Sequence, residues 1–115
     1  MNQSLNENSF ENLSKEELEQ KVTTLLQEYP TLLFMKGEKD MPACGFSAGV
    51  VEILNRLGIN YETINILVNP ELRAFMKEYS NWPTYPQLYH KGNLIGGYDI
   101  IAELYNNNEL QEMLK

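Results

Sequence analysis

The sequence predicts an α/β domain, a four-stranded mixed sheet with helices on both faces. Three observations carry this. Apolar runs of strand length alternate with segments of helical period, in the order α-β-α-β-α-β-β-α. The first strand–helix–strand unit implies a parallel crossover, which is right-handed as a rule. The last two strands are joined by a short Gly-containing turn, Lys91-Gly92-Asn93, and so form an antiparallel hairpin.

The elements follow in order. Residues 1–13 are polar, with Leu5 and Phe10 as isolated apolar positions, and read as a flexible tail ahead of a domain spanning 14–115. Ser14-Lys15-Glu16-Glu17 is a capping box that opens the first helix, whose apolar stripe is Leu18, Val22, Leu25 and Leu26. Tyr29-Pro30 ends it, because the residue before a proline is pushed out of the helical region. Thr31-Leu32-Leu33-Phe34-Met35 is a mostly apolar run and reads as a buried strand. The second helix is expected from about residue 46 to 57. It carries Phe46, Val50, Val51, Ile53, Leu54 and Leu57 at helical spacing, with Gly58 as its C-cap. Residues 61–66 form a second strand. Asn69-Pro70-Glu71 opens a third helix, with Asn as N-cap, Pro at N1 and an acid in the first turn. Its inner face is Leu72, Phe75, Met76 and Tyr79. Residues 87–90 and 93–96 are the hairpin strands. Asp99 is placed to cap a helix carrying Ile100, Ile101, Leu104 and Tyr105. Asn106-Asn107-Asn108 breaks it, and residues 109–115 add one or two turns.

Composition bounds the function. The chain has 115 residues, 43% of them hydrophobic, which suits one small domain with one core. Its formal net charge of −7 argues against binding nucleic acid through phosphates. No apolar run approaches the roughly 18 residues of a membrane span. The N-terminal stretch has neither the apolar region of a secretory signal nor the arginines of a transit peptide, so a cytoplasmic location is expected. One cysteine rules out an internal disulfide and agrees with a reducing compartment.

That cysteine is the chemical focus. Cys44 lies between the first strand and the second helix, in Met41-Pro42-Ala43-Cys44-Gly45-Phe46-Ser47. Helix N-termini offer unpaired N–H groups and a favourable dipole, and thiol pKa values fall there. A buried, inert cysteine is the alternative. Pro42 and Gly45 around it, and Lys36 and Lys39 before it, favour a reactive or ligating thiol. Lys39 reads as an ordinary solvated lysine, Lys36 as an anion-binding one. Phe46 reads as a core anchor rather than a lid. Trp82-Pro83-Thr84-Tyr85-Pro86 is either a rigid turn or a cis-proline segment that presents the Tyr85 backbone to an extended peptide. Gly96-Gly97-Tyr98-Asp99 lets a ligand approach a helix N-terminus, where Asp99 caps the helix, pairs with an ammonium group, or does both. Arg73 is a cation in a first helical turn, an unfavourable place unless an anion holds it; a plain surface arginine is the alternative. His90, the one histidine, is assigned no role. The chain has no Gly-rich phosphate loop, no paired catalytic carboxylates and no Cys/His zinc cluster.

Cys44-Gly45-Phe46-Ser47 resembles the CGFS motif of the monothiol glutaredoxins. Met35-Lys36-Gly37, Trp82-Pro83-Thr84-Tyr85-Pro86-Gln87 and Gly96-Gly97-Tyr98-Asp99 fit the same family in the same order, from about residue 18 to the C-terminus. The resemblance implies a thioredoxin-like fold and a glutathione site. Within it, Lys36 and Arg73 face the glycyl carboxylate, and Tyr85 with a cis Pro86 meets the cysteinyl part. Gly97, Tyr98 and Asp99 hold the γ-glutamyl end. Many members carry a smaller residue or a second cysteine where Tyr98 stands, a change that backbone contacts survive. Cys44 is then both the catalytic thiol and the metal ligand. Ser47 stands where a dithiol member has its resolving cysteine, and a hydroxyl cannot resolve a mixed disulfide.

Two functions share this site. In the first the protein carries an iron–sulfur cluster. A [2Fe–2S] cluster usually takes four thiolates. A homodimer supplies two Cys44 thiolates and two glutathiones supply the rest, with BolA-family proteins and apo iron–sulfur proteins as the implied partners. In the second, Cys44 alone removes glutathione from mixed disulfides, as a weak glutathione-dependent oxidoreductase. The missing resolving thiol puts the carrier ahead. An interaction module with an idle cysteine is the least favoured reading, because it leaves the glutathione-site motifs unused.

Overall fold

The computed structural model describes residues 9–115. Helix α1 (Lys15–Glu28) begins at Ser14, whose hydroxyl accepts the Glu17 N–H while the Glu17 carboxylate accepts the Ser14 N–H. This is the expected capping box, and it satisfies two donors that a helix start otherwise leaves open. Strand β1 (Thr31–Met35) follows. A small hairpin of β2 (Gly37–Glu38) and β3 (Met41–Pro42) then leads to helix α2 (Gly45–Arg56). Strand β4 (Glu62–Asn65), a 3-10 turn (Ile66–Val68) and helix α3 (Pro70–Ser80) come next. Strands β5 (Gln87–His90) and β6 (Asn93–Gly96), helix α4 (Tyr98–Asn106) and the short α5 (Leu110–Met113) complete the chain.

The main sheet has the order β4-β1-β5-β6. β1 pairs parallel with β4 and antiparallel with β5, and β5 pairs antiparallel with β6. This is the four-stranded mixed sheet expected of a thioredoxin-like fold. Lys91 and Gly92, both at positive φ, make the tight turn between β5 and β6.

β1 is buried on both faces because successive side chains alternate. Leu32 and Phe34 join the stripe of α1 and Leu72, Phe75 and Met76 of α3. Leu33 and Met35 join Val50, Val51 and Leu54 of α2 and Ile101 of α4. Helices therefore cover both faces, and the β1 C-terminal end is left bordering the helix N-termini. His90 is spent structurally: its ring bonds the Thr31 hydroxyl at 2.9 Å and the Lys115 carbonyl at 3.1 Å.

Four details differ from the sequence reading. Phe10 is fully buried in the first core, and Lys21 lies over its ring while donating to the Ser9 carbonyl. The folded unit thus begins before residue 14; residues 1–8, Leu5 among them, lie outside the described residues. The segment before Cys44 is a hairpin rather than a plain loop. Tyr79 stays partly exposed, stacked on Phe75. Asn69 precedes Pro70 as expected, but its side chain makes no cap bond and instead donates to the Asn65 carbonyl at 2.8 Å.

Candidate functional site

Cys44 is the N-cap residue of α2, in extended conformation, with its thiol partly exposed. The short hairpin delivers it there. Gly37 sits at φ +96, and a Cβ on it would lie 2.8 Å from the Met41 carbonyl, so the tight approach of β2 to β3 requires glycine. Its N–H donates to the Asn65 side chain at 3.0 Å, and that side chain in turn donates to Glu38 at 2.9 Å. Lys39 is not a loose surface lysine: it donates to the Tyr61 carbonyl at 2.9 Å and lies over the Tyr61 ring. The Ala43 N–H returns to the Lys36 carbonyl at 2.9 Å, closing the loop around the strand end.

The thiol's pKa is held below its ordinary value. The Ser47 backbone N–H contributes most. Burial opposes it, and the Phe46 N–H, the Lys36 charge and the Ser47 hydroxyl add to it. These are the open donors of a helix start aimed at a developing thiolate. Ser47 itself is fully buried, and its hydroxyl accepts the Lys36 N–H at 3.1 Å, which ties the first turn of α2 to the end of β1.

A cleft of about 590 Å³ opens beside this thiol. All eight residues singled out from the sequence border it. Lys36 and Cys44 stand at one end of β1 and the start of α2. Arg73 comes from α3, Tyr85 and Pro86 from the segment before β5, and Gly97, Tyr98 and Asp99 from the start of α4. The Tyr85–Pro86 bond is cis, as expected. Tyr85 is buried, its phenol donates to the Arg73 carbonyl at 2.6 Å, and burial pushes its pKa up, so it stays neutral. The Gln87 amide braces the same segment by donating to the Trp82 and Thr84 carbonyls at 3.1 and 3.2 Å.

Three placements depart from the reading of the residues. Phe46 is not a core anchor: it is 59% exposed and lines the cleft beside the thiol. Asp99 does not cap its helix, because Gly97 is the N-cap and Asp99 lies in the first turn. Lys77 also lines the cleft, one helical turn beyond Arg73. The spacing of four on one helix was the available signal for it. The cleft therefore carries three cations, Lys36, Arg73 and Lys77, and one acid, Asp99. Among the described residues no three His, Cys, Asp or Glu side chains stand together as a metal cage, and no helix is long and apolar enough to cross a membrane.

Comparison with known proteins agrees with this architecture. The glutaredoxin family profile matches residues 31–95. The probable monothiol glutaredoxin 2 of Rickettsia felis is 61% identical over 84 residues, covering 73% of this chain and 81% of that protein. The solution structure of reduced poplar apo GrxS14 superposes with a TM-score of 0.76 at 48% identity, over 85% of this chain and 90% of that one. The crystal structure of a buckwheat glutaredoxin–glutathione complex superposes with a TM-score of 0.75 at 26% identity, over 89% of this chain and 94% of that one. With a lone cysteine at the head of α2 and these relatives around it, the chain belongs to the glutaredoxin family, among its monothiol members.

Proposed function

We propose that the cleft binds glutathione and that two chains, each with its bound glutathione, carry a [2Fe–2S] cluster between them for delivery to other proteins. The observation that carries this reading is the charge layout around one low-pKa thiol. Glutathione is a tripeptide with two carboxylates, one ammonium group and a thiol. Lys36 and Arg73 suit its glycyl carboxylate, and Lys77 reinforces them. The backbone at Tyr85, ahead of the cis Pro86, suits its extended cysteinyl part, as an added strand pairs with an open edge. The start of α4 at Gly97 and Tyr98 suits the other carboxylate, and Asp99 suits the ammonium group. The buckwheat structure, a complex with glutathione, supports the same ligand here.

The donor set supports the cluster as cargo rather than as a resident of one chain. A single chain offers iron one thiolate, that of Cys44, whereas a [2Fe–2S] cluster usually takes four. Two chains and two glutathiones make four. Soft thiolate suits iron–sulfur chemistry better than the carboxylates nearby. Exposed Met41 and Phe46, on either side of Cys44 in sequence, favour a thiol that is covered by another molecule when in use. BolA-family proteins and apo iron–sulfur proteins fit as cytoplasmic partners of such a carrier.

The lowered thiol pKa also supports a second reading. In it, the Cys44 thiolate attacks the glutathione sulfur of a mixed disulfide and releases the protein thiol. A second glutathione thiolate then displaces the first as glutathione disulfide and regenerates Cys44. Calorimetric titration with reduced glutathione tests the shared site. Wild type is expected to bind, and Arg73→Glu or Lys77→Glu to weaken binding by roughly tenfold each, as for a charge-assisted contact reversed in sign. Binding indifferent to both reversals would remove α3 from the site.

A further inference from the structure

Gly49 stands in the interior of α2 with no turn, cap or positive φ to explain it. Glycine there costs stability relative to alanine. Its reason is the ring of Tyr98. A Cβ at residue 49 would collide with Cε1 of that ring and lie 2.9 Å from its Cδ1. The same ring stands 5.8 Å from the Phe46 ring, centroid to centroid, tilted by 44°. Phe46 and Gly49 are three residues apart and so share one face of α2. Tyr98 therefore lies along the turn whose Phe46 and Ser47 N–H groups face the thiol. It is also the first residue of α4, directly after the N-cap Gly97. One side chain thus joins the two helix N-termini that border the cleft.

We propose that the Tyr98 ring, seated against the bare backbone of Gly49, is a positioning element that fixes the approach of α2 to α4 and holds Phe46 beside Cys44. Its consequence for ligand binding rests on the glutathione reading given above. Its consequence for the thiol does not. The charged groups bordering the thiol cleft are Lys36, Arg73, Lys77 and Asp99, and neither Gly49→Ala nor Tyr98→Ala replaces any of them.

The test is a double-mutant cycle on the full chain, read by the pH profile of Cys44 alkylation with iodoacetamide and by glutathione calorimetry. Gly49→Ala puts a methyl where the ring sits. It is expected to raise the alkylation midpoint by about half a pH unit, because the N–H groups of the first turn are displaced from the sulfur. It should also weaken glutathione by on the order of tenfold, within the range for coupled neighbours. Tyr98→Ala should move both readouts in the same direction. In the Tyr98→Ala background, Gly49→Ala should change neither further, since the three atoms nearest that methyl all belong to the removed ring. Equal effects of Gly49→Ala in both backgrounds, or none in wild type, would overturn the proposal. Should Gly49→Ala fail to fold, an unmoved alkylation midpoint in Tyr98→Ala alone would overturn it. Should wild type not bind glutathione, the function proposed above fails, while the alkylation arm still decides this contact.

Discussion

Ser47→Ala separates two roles that one residue plays. The Ser47 hydroxyl is fully buried and accepts the Lys36 N–H, whereas its backbone N–H is the leading influence on the Cys44 thiol. Alanine deletes the hydroxyl and keeps the N–H. The Lys36 N–H is then left without its acceptor in a partly buried place, at about 1–2 kcal/mol. The thiol loses only the least of its lowering influences. Stability should therefore fall clearly while reactivity barely moves. For a domain of this size each kcal/mol lost corresponds to roughly 4–8 °C in Tm. Urea unfolding followed by circular dichroism should show an earlier midpoint with an unchanged slope. The pH profile of alkylation should still turn over below the range of a free thiol. A variant as stable as wild type whose thiol titrates like free cysteine would refute the reasoning, because the hydroxyl would then be the main support of the thiolate.

Two further outcomes follow from the geometry. Cys44 has a folded-state pKa below its unfolded one, so its stabilising contribution is fully present above about pH 8.5 and is lost as pH falls through the lowered folded value. Wild type should gain stability over Cys44→Ser on going from neutral to alkaline pH under reducing conditions, and parallel curves in chemical denaturation would contradict this. Phe10→Ala should cost roughly 3 kcal/mol in urea unfolding, as expected for emptying a fully buried aromatic site; an unmoved midpoint would take the segment before Ser14 out of the fold.

Most of the architecture was legible because local signals and tertiary burial agree. The Ser14–Glu17 box, the α1 stripe, the doubly buried β1 and the Gly92 turn each have one physical interpretation, and the structure adopts it. The β2–β3 hairpin was not legible, since two-residue strands have no period to read. Phe46 fits the helical stripe of α2, yet at the first turn of that helix the stripe borders the cleft instead of the core. Burial of Phe10 depends on where α1 lies against the sheet, which its polar neighbours in sequence cannot signal. The chemistry at the site was readable for a related reason. A lone thiol at a helix start, a doubly proline-flanked Thr-Tyr and paired glycines before an acid are each unusual locally. That Arg73 and Lys77 reach one cleft with them is a fact of the fold.

Under the proposed function, one thiolate per chain becomes a cluster site only with a second chain and glutathione. Anaerobic reconstitution with iron, sulfide and glutathione tests it most directly, read by visible absorption together with the mass of the coloured species. The expected result is a [2Fe–2S] spectrum on a dimer holding two non-covalent glutathiones, with Cys44→Ser folded and colourless. A coloured monomer, or a dimer that assembles equally well without any small thiol, would contradict it.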